Sequence, residues 1–370
     1  MMFIRSKINH DLQIFLGIIF GLLIIGGLFI YSASSVYALE HFGSSHYFVK
    51  KQIFGIIVGI IALIIGCIVP IDTIKKYSPV LLVGAMLLTA LTLFPQFAQK
   101  IHGSNRWLKL GGFAFQPSEL LKIAVILYTA YFLDKKIYKQ SSFTRSFLPL
   151  IVMIGIPCII LLKQPDFGMT FTLLITVFMV LFIAHFNNKQ LFITTAAFIP
   201  VVLGLIIMKP YRLKRIITFL NPWNDPKGAG FQIIQSLIAI GSGGLTGVGI
   251  GNSKQKFFYL PMQHTDFIFS IIAEETGFIG SIFLVFLFGS LLYFGIRIAW
   301  QLCTPFDTFA ALGFTILISL QAIINIAVAT GLAPTKGLGL PFVSYGNSAL
   351  VCNLFMVGII INMVHNTHKK

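Results

Sequence analysis

The sequence predicts an all-α integral membrane protein with about ten transmembrane helices. Hydrophobic residues make up 56% of its 370 residues and charged residues only 10%, and the mean hydropathy is +0.89. Soluble domains contain about 25% charged residues, so this composition excludes an ordinary soluble protein. A further observation is the recurrence of apolar runs long enough to cross a bilayer, which takes roughly 20 residues each.

Ten apolar runs define the predicted helices in chain order. They cover residues 12–33, 52–70, 77–94, 117–134, 147–163, 168–186, 190–208, 267–297, 307–332 and 340–364. The first run is too long for the apolar core of a signal peptide, so we expect a retained helix. We expect residues 1–370 to form one membrane domain.

The distribution of basic residues predicts that both termini lie in the cytoplasm. With the N-terminus inside, the short cytoplasmic segments carry more Lys and Arg than the short outer loops, as the positive-inside rule requires. A large outer loop between the seventh and eighth helices, about 209–266, is an exception because it is rich in cations. Either long loops translocate regardless of charge, or this loop binds an anionic ligand.

The net charge of +16 favours anionic membrane lipids as partners, and no nucleic acid, because the cations are spread over short loops. Within the large loop, YRLKRIITFL has the pattern of an interfacial helix, and GFQIIQSLIAI is apolar but too short to span a bilayer. The following GSGGLTGVGIGNSK lacks the spacing of a nucleotide-binding loop. It is either a backbone nest for phosphate or a flexible connection.

Polar motifs fall on the predicted outer face of the membrane. They are IHGSNRWLKLGGFAFQPSELLK, KQPDFG, HTDFIF and LAPTKGLGLPFVSYGNS. Connecting two helices needs only turn residues, so the shared placement of these charged and polar motifs indicates a functional site.

The chain resembles the SEDS family (shape, elongation, division and sporulation) of bacterial cell-wall proteins from its first helix to its last. The strings that carry the resemblance are HGSNRWLKLGG, QPSELLK, QPDFG, PYRLKR, NPWNDPKGAGFQIIQS, GGLTGVGIGNSKQKFFYLPMQHTDFIF, EETGFIG and LAPTKGLGLPFVSYG. NPWNDP and GNSKQK are more similar to the division and sporulation members, FtsW and SpoVE, than to the elongation member RodA. The chain is therefore expected to be FtsW-like.

The resemblance implies a peptidoglycan glycosyltransferase of the bacterial cytoplasmic membrane. Such an enzyme polymerises lipid II, an undecaprenyl-pyrophosphate-linked disaccharide pentapeptide, beside a class B penicillin-binding protein. The alternative is a lipid II flippase, which would need a polar path between the leaflets. A weaker alternative is a non-catalytic scaffold of cell division.

Asp266 is the expected catalytic residue. A carboxylate at the start of the eighth helix can serve merely as a partner of the helix dipole, but the resemblance makes this aspartate the essential one. Polymerisation needs a base to take the proton from the acceptor sugar's 4-hydroxyl as it attacks the anomeric carbon of the lipid-pyrophosphate donor. A pKa raised by desolvation would suit Asp266 to that role.

The other candidates are expected to bind the substrate. Glu119 and Lys122, three residues apart in the fourth helix, either form a structural ion pair or, as the resemblance implies, place Lys122 on the pyrophosphate. For Trp107 the alternatives are an interfacial anchor and a contact with sugar or lipid. The remaining candidates are Arg106, Arg212, Arg215, Lys254, Lys256, His264, Thr265, Lys336 and Ser344.

Several further residues have both structural and functional interpretations. Glu274 and Glu275 are secondary candidates, either functional or paired with a cation such as Lys122. Asp166 is predicted to close an Asx turn, and Asn325, with Gln321 one turn away, to hydrogen-bond between helices.

The chemistry of a pyrophosphate leaving group and the family resemblance together imply a divalent cation, Mg²⁺ or Mn²⁺. The substrate and one or two carboxylates, such as Asp266, would share it. No organic cofactor is expected.

Overall fold

The helical fold predicted from the sequence is confirmed by the computed structural model of the protein. The structure describes residues 2–101, 104–110, 113–135, 148–185, 196, 204, 210–228, 230–257 and 260–369. Within these residues the helices are α1 (Met2–Phe42), α2 (Tyr47–Ile68), α3 (Ile71–Leu91), α4 (Pro117–Asp134), α5 (Leu148–Lys163), α6 (Phe167–Ile183), α7 (Pro210–Leu220), α8 (Phe231–Ser242), α9 (Ile268–Trp300), α10 (Pro305–Ala329) and α11 (Asn347–Lys369).

Most of the predicted spans coincide with α1 to α6 and α9 to α11. Of the helices described, six are long and apolar enough to cross a membrane, namely α1, α2, α3, α9, α10 and α11. The protein is therefore a multi-pass membrane protein. The predicted seventh span, 190–208, lies outside the described residues. The predicted tenth span starts too early, because residues 340–346 contain Pro341 and form a turn before α11.

One end of the bundle, which we call the termini end, holds residues from both ends of the chain. Asp11 of α1 accepts a hydrogen bond from Gln301 (2.8 Å) and forms an ion pair with Arg297 (3.2 Å) at the end of α9. Asn362, near the C-terminus, donates to the carbonyl oxygen of Val69 just after α2 (2.6 Å). Lys75 forms an ion pair with Asp134 at 2.5 Å, which joins α3 and α4 here. The two chain ends therefore share one end of the bundle, and its cytoplasmic orientation stays a prediction.

The opposite end, which we call the motif end, collects the loops that carry the polar motifs. The Gln164 side chain after α5 donates to the carbonyl oxygen of Thr89 in α3 (2.9 Å). Ser348 at the start of α11 accepts from the backbone N–H of Gln116 before α4 (3.2 Å). Gln263, just before α9, donates to the carbonyl oxygen of Ala33 in α1 (2.8 Å). The loops before α4, α6, α9 and α11 thus meet on one face, as the sequence predicts.

A small antiparallel sheet between α3 and α4 is an element that we did not predict. Its strands, in spatial order, are β1 (Ala98–Ile101), β2 (Ser104–Leu110) and β3 (Phe113–Phe115). Leu108 is buried and lies opposite Phe115. Strands this short give too little alternation to be separated from a loop by pattern alone.

The large loop contains the two short helices that its sequence predicts, α7 and α8. α8 packs against α9 and α10. The buried Ser236 hydroxyl of α8 lies 2.5 Å from the Ser270 hydroxyl of α9 and donates to the carbonyl oxygen of Ala329 in α10. This contact fixes one part of the large loop at the motif end.

Candidate active site

Asp266 lies in the turn that leads into α9, at the motif end. Its side chain is partly buried, and within the described part of the chain its carboxylate oxygens make no hydrogen bond. Burial raises the pKa of the Asp266 carboxyl from 3.8 to about 6; the guanidinium groups of Arg106 and Arg215 pull this pKa down, and the Asp166 carboxylate pushes it up. Asp266 is thus a desolvated carboxylate near two cations, which is the environment of a general base.

Arg106 joins β2 to the turn between α5 and α6. Its guanidinium donates to the carbonyl oxygens of Gln164 (3.1 Å) and Pro165 (2.6 Å) and lies 3.5 Å from the Asp166 carboxylate. Asp166 also accepts from the backbone N–H of Met169 (3.2 Å), so it is the N-cap of α6, where the sequence predicted an Asx turn. Arg106 is therefore held near Asp266 by three protein atoms. The neighbouring Trp107 is partly buried in β2.

The loop between α10 and α11 forms another wall of the site. A Cβ atom on Gly337 would lie 3.5 Å from an Asp266 carboxylate oxygen, so the backbone of this loop borders the carboxylate. Burial lowers the pKa of Lys336 to about 8, and its ammonium lies 3.9 Å from the centre of the Phe171 ring. Arg215 of α7 donates to the carbonyl oxygen of Thr335 in the same loop (3.0 Å). Lys336 and Arg215 thus belong to the same site as Asp266.

The predicted contacts His264, Thr265 and Ser344 make hydrogen bonds within the protein. The Ser344 hydroxyl donates to the carbonyl oxygen of Thr265 (2.5 Å), and the Tyr345 N–H donates to that of His264 (3.0 Å). The His264 ring packs 4.4 Å from the Phe48 ring, centre to centre. These residues support the turn that carries Asp266.

The α9 helix is interrupted at Gly277, whose φ of 67° and ψ of −162° are not helical. The glycine-rich loop fills the break. The N–H groups of Val248 and Gly249 donate to the carbonyl oxygens of Glu274 (3.0 Å) and Glu275 (3.1 Å). Main-chain groups freed inside a membrane helix must find such partners. The backbone of this loop is therefore tied to α9 at Val248 and Gly249.

The Glu274 and Glu275 side chains anchor the same loop. Glu274 accepts from the Ser253 hydroxyl and from the N–H groups of Lys254 (2.9 Å) and Gln255 (3.4 Å). Glu275 accepts from the Ser32 hydroxyl of α1 (2.6 Å). Both glutamates are buried. Both carboxylates are thus engaged in contacts within the protein.

The cation near Glu275 is Lys256, which corrects the suggested pairing with Lys122. The Lys256 ammonium lies 3.4 Å from the Glu275 carboxylate and also donates to the carbonyl oxygen of Gly251. Lys256 is buried in these contacts, and its role as a phosphate ligand stays a prediction. The Lys254 side chain is exposed, whereas that of Arg212, in α7, lies outside the described residues.

Lys122 and Glu119 form an ion pair of 2.6 Å inside the bundle. Lys122 is fully buried and Glu119 is 5% exposed. The pairing explains why both charges can be buried. Residues three apart on a helix are neighbours, and their mutual attraction offsets part of the desolvation cost that a single buried charge would carry. The structure thus shows the ion pair that was one of the two alternatives for Lys122, and its contact with pyrophosphate stays a prediction.

The residues of the site could hold a divalent cation only together with a bound substrate. Among the residues described, no group of three or more His, Cys, Asp and Glu side chains could hold a metal ion. Mg²⁺ bound to phosphates commonly uses only one or two carboxylates, and the Asp266 carboxylate has no competing hydrogen bond in the described structure.

Sequence comparisons place the chain among proteins of cell-wall synthesis. The profile of the family described as "Cell cycle protein", for FtsW, RodA and SpoVE, matches residues 13–369. A "Probable peptidoglycan glycosyltransferase FtsW" of Geobacter sulfurreducens is 42% identical over 355 residues, which cover 96% of this chain and 95% of that protein. "Stage V sporulation protein E" of Bacillus subtilis is 42% identical over 342 residues, which cover 92% and 93%.

Solved structures share the fold. A chain described under "Structural coordination of polymerization and crosslinking by a peptidoglycan synthase complex" aligns with a TM-score of 0.79 at 27% identity, covering 96% of this chain and 98% of that one. The crystal structure of the rod shape determining protein RodA of Thermus thermophilus aligns with a TM-score of 0.71 at 24% identity, covering 96% and 97%. The bundle is thus one that these proteins have in common.

Proposed function

This chain belongs to the SEDS family of cell-cycle proteins that includes FtsW, RodA and SpoVE, and we propose that it is a peptidoglycan glycosyltransferase that polymerises lipid II. The reaction would take place at the outer face of the bacterial cytoplasmic membrane, during division or cell-shape maintenance. The observation that carries the proposal is the partly buried Asp266 carboxylate, which lies near Arg106 and against the α10–α11 loop that carries Lys336.

In the proposed reaction Asp266 is the general base. It takes the proton from the 4-hydroxyl of the acceptor sugar as that oxygen bonds to the anomeric carbon of the donor, and the lipid pyrophosphate leaves with the electron pair of the broken bond. A pKa of about 6 leaves most Asp266 carboxylates ionised at neutral pH, yet keeps them basic enough to accept a proton.

The cations around Asp266 suit an anionic substrate. Arg215 and Lys336 lie on the large loop and on the α10–α11 loop, and both are partly exposed. They are proposed to bind the pyrophosphate, where fixed positive charge stabilises the leaving group. A divalent cation held by Asp266 together with the substrate would add to this neutralisation.

The partner proposed for this enzyme is a class B penicillin-binding protein. Support comes from the similar chain that belongs to a complex described as coordinating polymerization and crosslinking. A polymerase and a crosslinking enzyme act on the same strand, so their association would couple the two steps.

Labelled lipid II tests the proposed activity. The purified full-length protein in liposomes, alone and with its class B partner, should convert lipid II into glycan strands that a muramidase digests. Movement of labelled lipid II between leaflets without strand formation would instead support the flippase. If the protein neither makes strands nor moves lipid II, the scaffold is the remaining function.

A further inference from the structure

We propose that Asn325 is a positioning residue for the proposed polymerisation, because its amide fixes the Asp266 turn against the loop that carries Lys336. This inference rests on the proposed function for its link to catalysis. Asn325 lies near the end of α10 and is only 2% exposed. Its place in the sequence predicts only a hydrogen bond between helices, which is the common role of Asn in membrane bundles.

The two hydrogen bonds of Asn325 go to loop backbone. Its amide nitrogen donates to the carbonyl oxygen of Asp266 (2.8 Å) and to that of Leu338 (2.7 Å). An amide nitrogen has two N–H donors, and each of them is used once. A single rigid side chain therefore joins two segments that are distant in sequence.

Both acceptor segments border the Asp266 carboxylate. One is the turn that contains Asp266 itself, and the other follows Gly337, whose backbone lies against the carboxylate. The distance between carboxylate and loop therefore depends on the Asn325 amide. Hydrogen bonds in such a buried setting are stronger than in water, and a lost donor there leaves two carbonyl oxygens unsatisfied.

Asn325 completes a series of contacts along the Asp266 turn. The carbonyl oxygens of three consecutive residues, His264, Thr265 and Asp266, accept hydrogen bonds from Tyr345, Ser344 and Asn325, respectively. The backbone of this tripeptide is thus held at every residue. The Asn325 contact is the one made at the catalytic residue, and it comes from a helix rather than from the adjacent loop.

The test uses Asn325→Leu, which keeps a similar volume but removes both donors. The matched control is Gln321→Leu, one turn earlier on α10, because Gln321 is also buried but makes no hydrogen bond in the described structure. Each full-length protein is examined in the same detergent by kinetics with lipid II and by hydrogen–deuterium exchange without substrate.

For Asn325→Leu we expect kcat to fall about tenfold or more while the KM for lipid II changes less than about threefold, as expected when only transition-state geometry is lost. Deuterium uptake should rise in residues 260–267 and 336–340 and stay unchanged at the termini end. Gln321→Leu should keep the wild-type kcat and exchange. Unchanged exchange in residues 260–267, or the same loss of kcat in both variants, would overturn the proposal.

Exchange without substrate separates failure of this inference from failure of the proposed function. If the wild type makes no strands, the polymerase assignment fails, and the exchange data alone decide whether Asn325 holds the Asp266 turn. If the wild type makes strands and Asn325→Leu does so at the wild-type rate, only the positioning role fails.

Discussion

Replacing Asp266 with Asn is expected to stabilise the protein above pH 6, although it removes the base. The folded-state pKa of about 6 exceeds the ordinary 3.8. Between these values the folded protein holds a proton that the unfolded chain has released, so stability falls as the pH rises through this window. The stabilising contribution of the protonated carboxyl is thus complete below pH 4 and lost above pH 6. Asn carries no charge, so its burial does not cost this stability at high pH.

The magnitude follows from the pKa difference. A shift of about 2 pH units corresponds to about 3 kcal/mol at 1.36 kcal/mol per unit. Asp266 is partly exposed, and solvent will screen part of this cost, so we expect a gain of about 1 to 3 kcal/mol for Asp266→Asn at pH 8. At pH 4 the two proteins should be equally stable.

Thermal unfolding of the purified proteins in detergent measures this difference. A gain of this size raises Tm by a few degrees in a protein of several hundred residues, at roughly 2 °C or more per kcal/mol. Asp166→Asn serves as the control, because it weakens the ion pair with Arg106, and its Tm should fall at pH 8. An Asp266→Asn protein that melts at or below the wild type at pH 8, or gains equally at pH 4 and pH 8, would refute the reasoning.

The remaining predictions concern the helix break, the buried ion pair and the metal. Gly277→Ala should destabilise the protein by on the order of 3 kcal/mol, because its φ and ψ are essentially confined to glycine and a Cβ would lie 2.6 Å from the carbonyl oxygen of Leu245; a wild-type Tm would contradict this. Lys122→Met should cost about 3 to 5 kcal/mol by leaving Glu119 buried alone, and adding Glu119→Gln should recover most of it; a double variant with the Tm of Lys122→Met would argue against the ion pair. Glycan synthesis should rise with Mg²⁺ or Mn²⁺ and stop in EDTA if Asp266 shares a cation with the pyrophosphate. A rate that EDTA does not change would contradict a role for the cation in the reaction.

The membrane helices could be predicted because composition and run length alone determine them. The break in α9 could not, since Gly277 lies inside the predicted span 267–297 and its break is filled by Val248 and Gly249 from another loop. Pattern reasoning treats each segment separately, whereas this backbone pairing depends on tertiary packing.

The candidate site was predictable where a motif carried the information. Asp266 and Lys336 stand in distinctive strings, and the structure places the Asp266 carboxylate against the backbone of the loop that carries Lys336. The i,i+3 spacing made the Glu119–Lys122 pair one of the predicted alternatives, whereas the Lys256–Glu275 pair joins residues distant in sequence and only the fold shows it. Asn325 was missed as a positioning residue because a single Asn in an apolar helix does not reveal its acceptors.

The most direct measurement is the rate of glycan-strand formation from labelled lipid II at pH 7.5 by three folded proteins. These are the wild type, Asp266→Asn and the control Asp134→Asn, whose carboxylate pairs with Lys75 at the opposite end of the bundle. With Asp266 as the base, the wild type and Asp134→Asn should make strands, and Asp266→Asn should lose about 100-fold or more of the rate, the range that general base catalysis contributes. Strands formed by Asp266→Asn at the wild-type rate would contradict the assignment of the base.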